Sequence, residues 1–216
     1  MLRRSVLTAA FAILAGPLAP AIPAAAAADP AAMISTLGSR ALEVLGKGAT
    51  QAQRTERFRE LLREDFDVPG IAKFVLGRYW NTATEEQRGE YVKLFEDYIA
   101  MAYATRLAEY TGETFKVTGS RPDADGAIVS SQIVRPGGAA PVKVDWRLTG
   151  RNGLYKISDV SVDGISMAVT QRSEFASVIQ HNGGQVQSLI TMLRERTAGS
   201  GALHHSHCRS AASAQR

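Results

Sequence analysis

The sequence predicts an α+β protein in which helices pack on a curled four-stranded antiparallel sheet. Three observations carry this. Apolar residues recur at three- and four-residue spacings from Asp29 to about Tyr110. From Phe115 to Val162 the period drops to two, and from Phe175 to Leu193 it returns to helical spacing. Strands and helices thus occupy separate stretches, which excludes an alternating strand–helix order around a parallel sheet. No internal repeat is visible.

Met33, Ile34, Leu37, Ala41, Val44 and Leu45 form the apolar stripe of a first helix, which Gly46 and Gly48 end. Thr50 is placed to cap a second, whose stripe is Phe58, Leu61 and Leu62 with Arg57, Arg59, Glu60, Arg63 and Glu64 on the wet side. Asp67 followed by Pro69 opens a short apolar helix with Ile71, Phe74 and Val75, closed at Gly77. Thr84 and Gln87 make a capping box for the longest helix, running to about Tyr110. That helix has two stripes: Tyr91, Phe95, Tyr98 and Ala102, and beside them Ile99, Tyr103, Leu107 and Tyr110. So wide an apolar face must be covered on more than one side, by protein or by a ligand.

Phe115 and Val117 begin the first strand. Pro122 to Gly126 reads as a turn before a second strand over Ala127–Arg135, and Pro136-Gly137-Gly138 marks a hairpin. In the third strand Val142, Val144, Trp146 and Leu148 alternate with Lys143, Asp145, Arg147 and Thr149. Asn152-Gly153 makes the next hairpin. In the fourth strand Tyr155 and Ile157 share a face that Val160 and Val162 leave, which places a bulge near Ser158-Asp159. Gly164 is expected to end the sheet. Two helices follow: one with Phe175, Val178 and Ile179, stopped at Asn182-Gly183-Gly184, and one with Val186, Leu189, Ile190 and Leu193.

Residues 1–28 read as a signal peptide: Arg3 and Arg4, the apolar run Val6–Ala15, three prolines, then Ala24–Ala28 as a small-residue cleavage site. The apolar run is about half of the ~20 residues a membrane span needs. The arginine pair partly fits a twin-arginine signal, and the general secretory route fits as well. Residues 198–216, rich in Ser, Ala and His without periodicity, read as a disordered tail.

The formal charge of +4 suggests an anionic partner, but its location does not. Arg3, Arg4, Arg209 and Arg216 lie in the two end segments. Residues 29–197 therefore hold 21 of the 25 Lys and Arg residues and all 21 acids, and are formally neutral. A nucleic-acid reading lacks the clustered basic charge it needs.

Catalytic and metal chemistry find little footing. The stretch to Thr197 holds one histidine, His181, and no cysteine, and there is no Gly-x-Ser-x-Gly elbow. His181 at a helix end is placed to meet the last carbonyls. His204, His205, His207 and Cys208 could bind a metal, but they sit in a tail with no scaffold. Asp123-x-Asp125-Gly126 lacks the later acid of a calcium loop. The reading is of a protein with no catalytic residues, no metal and no cofactor. The apolar faces fit either a solid core or a cavity between helices and sheet suited to acyl chains; periodicity alone favours the solid core.

Three stretches add to this. They are Phe74-Val75-Leu76-Gly77-Arg78-Tyr79-Trp80 with Ala83-Thr84-x-x-Gln87-Arg88-x-x-Tyr91 and Phe95-x-x-Tyr98; Tyr103 with Tyr110-x-Gly112-Glu113-Thr114-Phe115; and Gly164-Ile165-Ser166-Met167-x-x-Thr170-Gln171-x-Ser173-Glu174-Phe175. Together they resemble the MlaC family, the toluene-tolerance auxiliary proteins, over about Asp29 to Thr197. The resemblance implies an NTF2-like or cystatin-like fold enclosing an apolar cavity, with residues 29–197 as the lipid-binding domain. It implies a periplasmic carrier with phospholipid as cargo. The implied partners are an outer-membrane lipoprotein–porin complex and an inner-membrane ABC transporter with an MCE-domain protein, between which lipid is shuttled to maintain outer-membrane asymmetry. Some relatives handle hopanoids instead. An envelope adaptor with a solid core stands as the alternative, and a hydrolase on the same scaffold as a remoter one.

The resemblance brings no catalytic residues. Acyl-chain contacts are therefore expected on the apolar faces: Phe74 and Val75 on the short helix, and Tyr98, Met101, Ala102 and Leu107 on the long one. The sheet adds Val144, Trp146 and Leu148; its end and the late helices add Ile165, Met167, Phe175 and Ile179.

Overall fold

The computed structural model describes residues 29–44, 49–107, 112–151 and 154–198. The signal peptide, the Gly46/Gly48 stop, the Asn152-Gly153 turn and the tail from residue 199 lie outside them. Ala198, the last described residue and one position inside the expected tail, is helical.

Helix α1 (Pro30–Val44) is followed by α2 (Gln51–Asp65), α3 (Val68–Leu76), a 3₁₀ turn over Gly77–Trp80 and the long α4 (Glu85–Leu107). Local chemistry sets these ends. Thr50 and Gln53 close a reciprocal capping box on α2. Asp67 accepts from the Gly70 N–H at 3.1 Å with Pro69 in the first turn of α3. Gly77, at φ 60°, ends α3 in a conformation that disfavours a side chain. Thr84 and Gln87 form the expected box on α4.

The sheet is an antiparallel meander in sequence order: β1 (Thr114–Asp123), β2 (Gly126–Val134), β3 (Val142–Arg151), β4 (Leu154–Val162) and β5 (Ile165–Ser166). The β1–β2 turn is tighter than expected, with Ala124 and Asp125 alone between the strands. The expected bulge is present: Arg147 pairs with Asp159 and Leu148 with Ile157, leaving Ser158 unpaired. A second irregularity lies between Val117 and Gly119. Such bulges sharpen twist and curl.

The fifth strand corrects the four-stranded expectation. Gly164 does not end the sheet; with Asp163 (φ 48°) and its own φ of 84° it turns a hairpin that pairs Val162 with Ile165 and Ser161 with Ser166. Two residues are too few to register as a period. Ser166 then caps α5 (Met167–His181), accepting from the Val169 N–H at 3.1 Å. His181 lies 2.8 Å through Nδ1 from the Ser177 carbonyl at the helix end. The last helix, α6, covers residues 186–198.

Two packed clusters hold these elements. One joins α3, α4, α5 and α6: Phe175 is ringed by Tyr91, Phe95 and Tyr98 at 5.8–6.3 Å between centroids, with Leu189, Ile190 and Leu193 buried beneath. The Tyr91 hydroxyl donates to the Ala72 carbonyl at 3.1 Å, and burial pushes its phenol far above the ordinary range. The other cluster packs Ile34, Leu37 and Leu61 of α1 and α2 on Val129, Leu148 and Ile157 of the sheet. Arg40 ties α1 to Glu64 and Asp65 at the end of α2, while Arg59 and Arg63 tie α2 to Glu96 and Asp97 on α4. No helix among the described residues is long and apolar enough to cross a membrane.

Candidate functional site

The two clusters do not merge. Between them lies a cavity of about 830 Å³, toward the large end of the roughly 300–1,000 Å³ typical of ligand pockets. Its floor is one end of the sheet: Phe115 on β1, Ile133 on β2, Val144 and Trp146 on β3, Val160 and Val162 on β4. The Ser158 bulge makes this floor possible. It restores phase, so that Ile157 packs in the solid cluster while Val160 and Val162 still face inward beyond it. The roof is Leu37 and Ala41 of α1, Phe58 and Leu62 of α2, Val68, Ile71 and Val75 of α3, and Phe95, Ile99 and Tyr103 of α4. Met167 and Ala168 at the start of α5 close one side.

Polar contacts hold this apolar lining in shape. Trp146 donates its indole N–H to Ser131 Oγ at 2.9 Å, and Ser131 in turn donates to the Val144 carbonyl at 3.1 Å. The pair fixes the ring plane, against which Phe115 packs edge-on at 6.2 Å. Asp159 joins β4 to the α5 start: it accepts from Ser166 Oγ at 2.6 Å and from the Ala168 N–H at 3.1 Å. Phe58 and Tyr103 stack at 6.4 Å across α2 and α4. Burial raises the Tyr103 phenol pKa; the nearby Arg106 guanidinium, whose carbon lies 5.5 Å from the ring centre, opposes the shift, and Glu174, Tyr98 and Asp159 add to it. The exposed lining residues Leu42, Arg106, Gly112, Asp163 and Ile165 mark where the cavity opens. At the lining, Glu113 keeps one buried carboxylate oxygen with no hydrogen-bond partner.

Of the residues expected from sequence, Val75, Val144, Trp146, Ile165 and Met167 line the cavity. Leu148, Phe175 and Ile179 do not; they are buried in the two solid clusters. Tyr98 packs on Phe175, and Phe74 lies on the outer surface beneath the Arg172 guanidinium. Met101 and Ala102 are half-buried away from the lining, and the Leu107 side chain lies outside the description. The long helix explains most of this. Tyr91 and Tyr98 of its first stripe meet Phe175 on α5, Phe95 of that stripe meets both Phe175 and the cavity, and Ile99 and Tyr103 of the second stripe meet the cavity. The lining also includes residues not expected from sequence, among them Phe58, Ile99, Tyr103, Phe115, Val160 and Val162. The second α4 stripe carries the signal for Ile99 and Tyr103, and the post-bulge alternation that for Val160 and Val162.

Among the described residues no group of three or more His, Cys, Asp or Glu side chains could hold a metal ion. The site can take up apolar chains by dispersion contact and exclusion of water, leaving polar groups at its opening.

Comparison with known proteins agrees with this geometry. The MlaC protein family model matches residues 36–195. An intermembrane phospholipid transport system binding protein MlaC from Haemophilus influenzae is 25% identical over 125 residues, 56% of this chain and 58% of that protein. Toluene tolerance protein ttg2D of Pseudomonas putida is 29% identical over 127 residues, 57% of this chain and 58% of that protein. The alignments thus span a little over half of these relatives' length. Among solved structures, a phospholipid-binding protein from Ralstonia solanacearum in complex with a phospholipid superposes with a TM-score of 0.67 at 25% identity, over 80% of this chain and 98% of that one. With a family model matched across both helical layers and the whole sheet, the chain belongs to the MlaC family.

Proposed function

We propose that this protein is a periplasmic phospholipid carrier. It holds acyl chains between the helices and the sheet end, leaves the headgroup at the opening, and moves lipid between transport complexes of the two membranes. The observation that carries this reading is the apolar cavity bordered by the two packed clusters. The phospholipid bound by the structurally similar Ralstonia protein supports the choice of cargo. The relatives' names support the place in intermembrane transport. The leader-like residues 1–28 support export, and the partners would be the outer-membrane lipoprotein–porin complex and the inner-membrane ABC transporter with its MCE-domain protein. The only species the site is asked to hold is this cargo.

Native mass spectrometry of the protein purified from a periplasmic fraction tests the proposal. A co-purifying phospholipid is expected. Because a ligand bound only by the native state stabilises it by mass action, about 2.7 kcal/mol at a hundred times Kd, delipidated protein should melt earlier and recover on addition of phospholipid. Absence of bound lipid, together with a melting temperature indifferent to added phospholipid, would sink the carrier reading.

A further inference from the structure

Three of the large apolar side chains most exposed on the described surface gather on one face. They are Phe74 on α3 (43% exposed), Ile165 on β5 (61%) and Val169 in the first turn of α5 (52%). Arg172, one turn after Val169, lies over the Phe74 ring at 5.1 Å, which joins the α3 and α5 parts into one patch. The patch is cationic. Lys73, Arg78 and Arg172 are exposed on or beside it, and neither 68–84 nor 164–173 contains an acid. This stands out in a region, 29–197, whose formal charge is zero. The acids nearest in sequence, Asp67, Asp163 and Glu174, border the patch and accept from the Gly70 N–H, the Lys143 N–H and Gln171 Nε2.

The inner faces of the same elements line the cavity: Val68, Ile71 and Val75 on α3, Met167 and Ala168 on α5. Ile165 does both, lining the cavity while being mostly exposed. Ile165 is therefore where the exposed apolar side chains of this face meet the cavity lining. Exposed apolar side chains ringed by cations are the combination that settles at the boundary of an anionic bilayer, each part adding to binding.

We propose that this face is a docking surface for anionic phospholipid membranes, through which an acyl chain passes between bilayer and cavity without crossing water. The inference rests on the carrier reading for its purpose, though docking can be measured without it. Purified protein is mixed with phosphatidylcholine vesicles that contain or lack phosphatidylglycerol, and bound protein is separated by flotation. Binding is expected only with phosphatidylglycerol, and weakens as salt rises. Lys73→Ser and Arg172→Ser should each weaken binding about fivefold. Phe74→Ser with Val169→Ser should reduce it further while circular dichroism stays native, since these side chains lie outside both packed clusters.

Failure of the wild-type protein to float with phosphatidylglycerol vesicles, or flotation unchanged by all four substitutions, overturns the proposal and leaves the face to a protein partner. Lipid content by native mass spectrometry is recorded on the same samples. Lipid-loaded protein that ignores vesicles sinks the docking surface alone, whereas lipid-free protein sinks the carrier reading whatever the vesicles show.

Discussion

The Phe115 ring lies directly against the backbone of Gly38. A Cβ at position 38 would stand 2.8 Å from Phe115 Cγ and closer still to the ring edge. One glycine in the interior of α1 thus lets a β1 side chain seal a cavity wall, at a helix-propensity cost of up to about 1 kcal/mol relative to alanine. Gly38→Ala should therefore destabilise, by about 1–3 kcal/mol from overpacking, where helix propensity alone predicts a gain. In a Phe115→Ala background the same change should be neutral or stabilising. A double-mutant cycle by urea denaturation checks this; additivity of the two changes would refute the contact as its cause.

Ser131 is almost fully buried, and its hydroxyl accepts the Trp146 indole N–H. Ser131→Ala leaves that donor unpartnered, with an expected loss of about 1–3 kcal/mol. Restoring a hydroxyl with Thr should recover part of it. Chemical denaturation gives the energy, and a shift in tryptophan emission reports the freed ring.

Cavity wall and solid core can be separated by opposite substitutions. Phe175→Ala should cost about 3–5 kcal/mol whether or not lipid is bound, because the ring is closed in by Tyr91, Phe95 and Tyr98. Ile99→Trp enlarges a side chain that borders open space. It should keep the fold and lower the lipid recovered by mass spectrometry several-fold. Unchanged lipid content with Ile99→Trp would remove Ile99 from the binding surface.

Asp65 supplies a pH test. Its partial burial raises the carboxyl pKa, and Arg40, 3.2 Å away, offsets this only in part. A raised folded-state value means that the favourable contribution is complete below the ordinary aspartate range and is lost as pH rises through the folded value. The melting temperature of Asp65→Asn minus that of the wild type should therefore become more positive as pH is raised through the acidic range. Thermal melts at a series of acidic pH values decide the sign.

Much of the fold was legible because its signals are local. Thr50, Asp67 and Thr84 cap their helices through side chains within three residues, and the Ser158 bulge shows as a break in alternation between Ile157 and Val160. The cavity was legible only through the family resemblance and not in periodicity, since a residue facing open space and one facing a neighbour have the same periodicity. Tyr98 and Tyr103 illustrate this: each lies on an apolar stripe of α4, yet Tyr98 packs on Phe175 and Tyr103 borders the cavity. β5 leaves no signal in the sequence because two residues carry no period, and its Asp163-Gly164 turn reads equally well as an end.

The unpaired Ser158 divides β4 into two stretches under different constraints. Before it, Ile157 is fully buried in a packed cluster, with Tyr155 against the same cluster, and a change of volume at Ile157 meets resistance. After it, Val160 and Val162 border a hollow, where a larger or smaller side chain alters capacity before it alters the fold. The protein thus has a place where cargo size can drift with little effect on stability, and one extra backbone residue marks its boundary.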